Sequence, residues 1–243
     1  MSTPLLSLAS VTKRFGGFIA LRNVELHVAA GERVGLIGPN GSGKSTLVNC
    51  ISGVLRNEVG SVSFDGHDLT ALPPHRRIRL GLARSFQLPR PFVSMTVREN
   101  LRIPLLYAAR LHEHGSHSDI DDAAMEILRQ VGLEQKADAM SGSLTQVDMR
   151  KLELARAMAG RPKLLFADEA MAGLSTSEVD DILDLLLGLK EKGVAVVMIE
   201  HIMRAVMRFS ERLVVLVAGE KVADGEPKAV IDNPDVIRAY LGE

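Results

Sequence analysis

At 243 residues, 46% of them apolar, the chain can bury one substantial core, so a single domain with subdomains is expected. A net charge of −1 without a basic block argues against nucleic acid as the main partner, because phosphate-backbone binding leaves a cationic footprint. The lone Cys50 excludes an intrachain disulfide and suits a reducing cytosol. No apolar run approaches the roughly 18 residues of a membrane span and no signal-peptide pattern opens the chain, so a protein soluble by itself is expected.

In chain order, residues 5–27 alternate apolar and polar side chains around a turn at Gly16 and Gly17, the pattern of strands at a β-rich edge. Phe15 lies at that turn; the segment alone allows either an aromatic that stacks on an adenine base or an ordinary packed phenylalanine. Arg33, Val34, Gly35, Leu36 and Ile37 read as a buried strand, and Leu47, Val48, Asn49, Cys50 and Ile51 as the first turns of a helix. Between them stand Gly38, Pro39, Asn40, Gly41, Ser42, Gly43, Lys44, Ser45 and Thr46. This is the G-x-x-x-x-G-K-[ST] spacing in the strand–loop–helix setting it requires. Glycines let the backbone wind around a triphosphate with its N–H groups inward, and the helix N-terminus favours an anion. Lys44 would reach the β- and γ-phosphates, and the Ser45 hydroxyl would hold Mg²⁺. Cys50 falls on the apolar side of that helix and reads as a packed thiol.

Residues 60–66 form another strand ending in an Asp-Gly turn, and residues 81–87 a short strand stopped by Pro89 and Pro91. Thr96 and Glu99 have capping-box spacing at a helix start. Residues 111–121 read as an exposed loop whose His112, His114 and His117 lack the cysteine or carboxylate frame of a metal site. Residues 123–131 are amphipathic up to Gly132, and residues 141–159 are one further helical unit with Leu152, Leu154, Ala155, Met158 and Ala159 inward. The apolar run Leu164, Leu165, Phe166, Ala167 then delivers Asp168 and Glu169 at the end of a buried strand, where open α/β sheets bind ligands. Asp168 there can hold Mg²⁺ through water, and Glu169 can polarise an attacking water. A helix over residues 177–192 and a buried strand over 194–199 follow, and the strand delivers Glu200 and His201 to the same edge. Methionines 198, 203 and 207 read as core filling. A hairpin strand over 213–222 and a helix over 233–241 close the chain.

Taken together, these residues resemble an ABC ATPase, the nucleotide-binding subunit of an ATP-driven transporter, from end to end. Gly38 to Ser45 resembles the Walker A motif, and Asp168 and Glu169 resemble Walker B with its catalytic glutamate. His201 matches the switch histidine, Gln87 the Q-loop glutamine that contacts metal and water, and Phe15 the adenine-stacking aromatic. Within the family the chain is similar to importers of the branched-chain amino acid type. The similarity rests on the stretches 13–17, 49–53 and 95–101 and on the closing 233–242.

Two departures stand out. Where the family's signature loop reads Leu-Ser-Gly-Gly-Gln, this chain has Leu144, Thr145, Gln146, Val147 and Asp148, keeping a hydroxyl at Thr145 and losing both glycines. Val147 is expected to intrude where a partner's phosphate would approach. The D-loop, usually Ser-Ala-Leu-Asp, is Ala172, Gly173, Leu174 and Ser175, without the acid.

The resemblance implies an α/β fold. Its RecA-like P-loop NTPase core spans residues 1–88 and 160–243, with a β-rich edge and an inserted helical subdomain over 89–159. It implies ATP and Mg²⁺ as cofactors, and a second ABC ATPase, membrane permease subunits and, indirectly, a solute-binding protein as partners, with no nucleic acid. It places the subunit peripherally at the cytoplasmic face of the inner membrane. Permease docking is expected along residues 88–100. A heterodimer is expected, in which Thr145 caps the slower site. A soluble ABC ATPase uncoupled from transport, and an ATP sensor with little turnover, are the alternatives.

Overall fold

The computed structural model describes residues 3–85, 90–107 and 117–241. Gln87, Leu88, Pro89, His112, His114 and Gly242 lie outside the described residues. Two sheets form. β1 (Leu6–Phe15), β2 (Phe18–Val28), β4 (Val59–Phe64) and β5 (His67–Asp68) pair antiparallel in the order β2-β1-β4-β5. In the second sheet β3 (Arg33–Ile37), β6 (Leu82–Ser85), β7 (Leu164–Asp168), β8 (Ala195–Ile199) and β9 (Arg212–Val217) run parallel. β10 (Glu220–Gly225) turns back antiparallel at the edge, giving the order β10-β9-β3-β8-β7-β6. The helices are α1 (Lys44–Ser52), α2 (Pro74–Arg79), α3 (Val97–Tyr107), α4 (His117–Gln130), α5 (Gln146–Ala159), α6 (Thr176–Gly188), α7 (Met203–Phe209), α8 (Pro227–Ile231) and α9 (Pro234–Leu241).

The central strands are apolar on both faces because both are covered, as expected for parallel strands. Leu164 and Phe166 of β7, with Ala195, Val197 and Ile199 of β8, pack toward α1 and the antiparallel sheet. Their alternating neighbours Leu165, Ala167, Val196 and Met198 pack toward α6 and α7. A separate cluster joins Val97 and Leu101 of α3, Ala124 and Leu128 of α4, and Leu152 and Ala155 of α5. The helix α1 is anchored at its far end by buried Arg77, which donates to the carbonyls of Cys50 (2.9 Å) and Ile51 (2.7 Å). Carbonyls at a helix C-terminus carry the partial negative charge that a cation satisfies.

Several expectations shift locally. The polar segment before residue 121 is helical from His117, and Asp121 pairs with Arg102 of α3 at 2.9 Å. Residues 141–159 are not continuous: a single 3₁₀ turn over Ser141–Ser143 precedes an extended Leu144 and Thr145, and only then does α5 start. The long helix after Ser175 ends at Gly188 and continues as one 3₁₀ turn, Lys190–Lys192. Its start is fixed by a capping box between Ser175 and Glu178, and the expected box at Thr96 and Glu99 also forms. The last hairpin is two strands, β9 and β10, joined at Ala218 and Gly219. Met198 fills the core, but Met203 lies on the outer face of α7 at 37% exposure.

Candidate active site

The parallel strands end together. Asp168 pairs with Ile199 in register, and Leu36 also pairs with Ile199, so the turns after β3, β8 and β7 open onto one edge. β8 lies between β3 and β7. The turn carrying His201 therefore sits between the phosphate-type loop and the two carboxylates.

The loop 38–43 is built so that only glycine fits at its ends. Gly38 has φ +152°, and a Cβ there would lie 2.1 Å from the Leu216 carbonyl oxygen. Gly43 has φ +103°, and its Cβ would meet the Ala20 carbonyl at 2.8 Å. β9 and β2 thus press against the loop from two sides, and the Gly219 N–H donates to the Ser42 carbonyl at 3.0 Å. Tyr240, on α9, lies beside the Gly38 backbone, and burial pushes its phenol above the ordinary range. The Lys44 ammonium donates to the carbonyls of Gly38 (2.7 Å) and Pro39 (3.0 Å). Burial pulls it below the ordinary lysine range, opposed by the charges of Glu169 and Asp168. Asn40, Gly41 and Ser45 are exposed, while Pro39 and Thr46 are half-buried. Cys50 is packed as expected, and burial pushes its thiol up to about 11.

Opposite the loop, Asp168 is buried, and its Oδ2 accepts from Arg84 Nη2 at 2.6 Å. Glu169 follows with φ +47°, a left-handed conformation unfavourable for a residue with a side chain. Its N–H donates to the Ile199 carbonyl at 2.9 Å, and its Oε1 lies 3.2 Å from His201 Nε2. Adjacent to this pair is Glu200, buried beneath it. Glu200 accepts from the Met171 N–H at 2.9 Å and the His201 N–H at 3.3 Å. Burial raises its pKa above the ordinary carboxylate range. It ties the turn after Glu169 to the turn carrying His201, a role the sequence reading missed because Glu200 looked like the neighbour of a better candidate.

The donor set fits a magnesium–triphosphate group. The loop is a cradle that a Cβ would fill, a lysine lies along it, and the Ser45 hydroxyl and the Asp168 carboxylate are both hard oxygen donors of the kind Mg²⁺ takes. Phe15 is exposed at 48%, opposite Phe18 at 65% across the β1–β2 turn. The turn therefore presents two aromatics where sequence reading singled out one. Lys13 Nζ lies 5.1 Å from the Phe15 ring centroid.

Thr145 is the N-cap of α5 and accepts the Asp148 N–H at 3.3 Å. Its hydroxyl donates to Asp148 Oδ2 at 2.7 Å, and Lys136 holds the same oxygen at 2.5 Å. Val147 does not occupy the outer surface as expected: it packs against the cluster containing Met171 and Val179. The exposed side chain at the lost glycines is Gln146, whose Nε2 donates to the Ala172 carbonyl at 3.4 Å. Arg150, a turn further along α5, donates to the same carbonyl at 3.3 Å. The signature-like helix and the turn 172–175 are thus bonded to each other within one chain.

With that geometry in place, comparison with known proteins identifies the family. Residues 21–172 match the model of the ABC transporter family, and residues 220–243 match that of the branched-chain amino acid ATP-binding cassette transporter. The chain is 40% identical to the high-affinity branched-chain amino acid transport ATP-binding protein BraF of Pseudomonas aeruginosa over the whole of both chains. It is 38% identical to LivG of Escherichia coli K12, again over the whole of both. Among solved structures, a nucleotide-free ATP-binding cassette from an ABC transporter superposes with a TM-score of 0.89 at 33% identity, covering 99% of this chain and 100% of that one. The ADP conformation of MJ1267, another such cassette, gives 0.86 at 32% identity over 100% of both. The P-loop NTPase fold and the nucleotide-binding architecture are those of these relatives, and the chain belongs to the ABC transporter family of ATP-binding cassettes.

Proposed function

We propose that this cassette hydrolyses ATP with Mg²⁺ to drive an importer of branched-chain amino acids or a related small polar or organic-acid solute. The observation that carries the chemistry is the Glu169–His201 pair at 3.2 Å, at the sheet edge shared with Lys44 and Asp168. The loop 38–46 binds the phosphates, Ser45 and Asp168 hold the metal, and Phe15 stacks on the base. When bound, the metal would supply neutralisation of negative charge. Glu169 accepts the proton of the attacking water, and His201 fixes the carboxylate that does so. Gln87, which lies outside the described residues, is assigned the role of the Q-loop glutamine toward metal and water.

The chain acts as one subunit of a pair, with residues 1–88 and 160–243 as the core and 89–159 as the helical subdomain. We assign the partner as a second, similar ATPase and Thr145 as a contact to the ATP bound there. The permease is assigned to a groove of about 330 Å³ lined by Ile78, Ala83, Phe92, Ile103, Pro104 and Tyr107. This groove meets the expected docking stretch at Phe92 and would seat a short amphipathic segment at the cytoplasmic face of the membrane. Reconstitution with the permease subunits and the cognate binding protein tests the reading. ATP turnover should rise on adding binding protein loaded with leucine, isoleucine or valine, or with the related solute. Turnover indifferent to every loaded binding protein would refute coupling to import.

A further inference from the structure

Arg84 belongs to no motif that the sequence singles out, yet it joins three elements of the site. It stands on β6, its Nη2 donating to Asp168 Oδ2 on β7 at 2.6 Å. Its Nη1 donates to Asn49 Oδ1 on α1 at 2.6 Å. Asn49 lies four residues after Ser45 on the same helix, hence one turn below it on the same face. One rigid, planar guanidinium therefore connects the strand that carries the metal-binding carboxylate to the helix that carries the metal-binding hydroxyl. A lysine could reach either acceptor but not hold both in a fixed fork. Asp168 is additionally fixed by its backbone, whose N–H donates to Ser85 Oγ on β6 at 3.3 Å. Its strand end is thus referenced to β6 twice.

We propose that Arg84 is a positioning residue that sets the separation between Ser45 and Asp168, and so matches the site to Mg²⁺ rather than to a larger divalent cation. Mg²⁺ demands near-ideal octahedral geometry at about 2.0–2.1 Å, whereas Ca²⁺ accepts flexible coordination at about 2.3–2.6 Å. A braced pair, with Asp168 acting through water, favours the first, and a loose pair tolerates the second. Because Arg84 occupies Oδ2 of Asp168, it also directs the remaining oxygen of that carboxylate. This inference rests on the assignment of Ser45 and Asp168 to the metal.

The test measures binding of a fluorescent ATP analogue to the full chain as Mg²⁺ or Ca²⁺ is titrated, with no turnover required. Metal-free binding in chelator reports the phosphate loop alone and should be the same in the parent and the Arg84 and Asn49 variants to within about twofold. Arg84→Ala should raise the half-saturating Mg²⁺ concentration by about tenfold while leaving that for Ca²⁺ nearly unchanged, so that discrimination between the two ions narrows. Arg84→Lys and Asn49→Ala should fall between parent and Arg84→Ala. An Arg84→Ala curve identical to the parent in Mg²⁺, or one shifted to lower Mg²⁺, would overturn the proposal; the second would mean that Arg84 competes with the metal. Should Arg84→Ala fail to fold by circular dichroism, Arg84→Lys and Asn49→Ala decide, and parental curves for both would overturn it. A parental chain that shows no metal dependence, with Ser45→Ala silent as well, would instead refute the metal assignment itself.

Discussion

The phosphate loop and the signature-like segment face the same kind of task, and this chain equips them differently. Around residues 38–46 the backbone is glycine-rich and shaped by close contacts from β2 and β9, and Ser45 stays exposed at the helix start. Around residues 144–148 the glycines are gone. Thr145 spends its hydroxyl on Asp148, and Gln146 and Arg150 hold the Ala172 carbonyl of the same chain. A donor already bonded internally must give up that bond before it can serve a phosphate on another subunit, and a charge-assisted hydrogen bond contributes roughly 1.5–3 kcal/mol. The first half is therefore open at the Ser45 hydroxyl, although loop carbonyls hold its Lys44, and the other is self-satisfied at the corresponding hydroxyl of Thr145. Paired, as proposed, with a second ATPase whose signature keeps its glycines, this chain would form two unequal sites.

The largest effect expected is at the open half. Lys44→Ala removes the cation that two loop carbonyls and two carboxylates orient. At roughly 1.5–3 kcal/mol for each of two charge-assisted contacts, ATP affinity should fall on the order of 10²- to 10⁴-fold, with turnover lost as well. Calorimetric titration with ATP measures this, and an unchanged affinity would remove the Walker A assignment and the comparison with it.

Next comes Glu169→Gln, which keeps the shape and the contact to His201 but cannot accept a proton. Binding should persist while turnover drops by about 10²- to 10⁴-fold, the range for losing a positioned base. Placing the change in one subunit at a time sharpens the contrast between halves. If this chain's Glu169 belongs to the faster site, its replacement should cost more than the equivalent change in the partner. A loss seen only with the partner's substitution would reverse the assignment.

How much of this was readable beforehand follows from how local the signals are. The loop 38–46, the Asp168–Glu169 pair and His201 are contiguous or strand-terminal patterns, and the parallel sheet brings them to one edge as expected. Arg84, Asn49 and Glu200 were not legible, because each acts through partners 29 to 84 positions away. Nothing in the immediate neighbourhood of Arg84 marks a charged residue inside a short strand as a brace. Val147 was misjudged for a related reason. Aligning it with a lost glycine fixes its position along α5 but not the direction of its side chain, which α6 and the turn after Glu169 draw inward. The break at Leu144 and Thr145 was hidden because helical periodicity runs straight through it.

Phe15→Ala probes the periphery of the open half. Base stacking contributes about 1–3 kcal/mol and touches only the base. ATP should therefore weaken by roughly 5- to 100-fold while inorganic triphosphate is unaffected. Phe18, exposed on the other side of the turn, is the control: equal losses from Phe15→Ala and Phe18→Ala would make the aromatic pair a general feature of the edge rather than a stacking platform.

The smallest effect belongs to the self-satisfied half. Thr145→Ala removes the N-cap of α5, which costs about 0.5–2 kcal/mol wherever a cap is lost. In a chain of this length that is a fall in Tm of about 2–4 °C per kcal/mol. Thr145→Ser keeps the cap and should restore the stability. In the pair proposed above, with Thr145 assigned to the slower site, turnover with Thr145→Ala should decline only a few-fold, because its hydroxyl is already committed to Asp148. Comparing Thr145→Ala with Glu169→Gln in the same complex tests the asymmetry, since in the proposed pair both lie in one polypeptide but serve different ATP molecules. A Thr145→Ala complex as inactive as the Glu169→Gln complex, with Thr145→Ser fully active, would show that the hydroxyl leaves Asp148 to serve the partner's phosphate during every turnover. The two halves would then be equals in function despite their different construction.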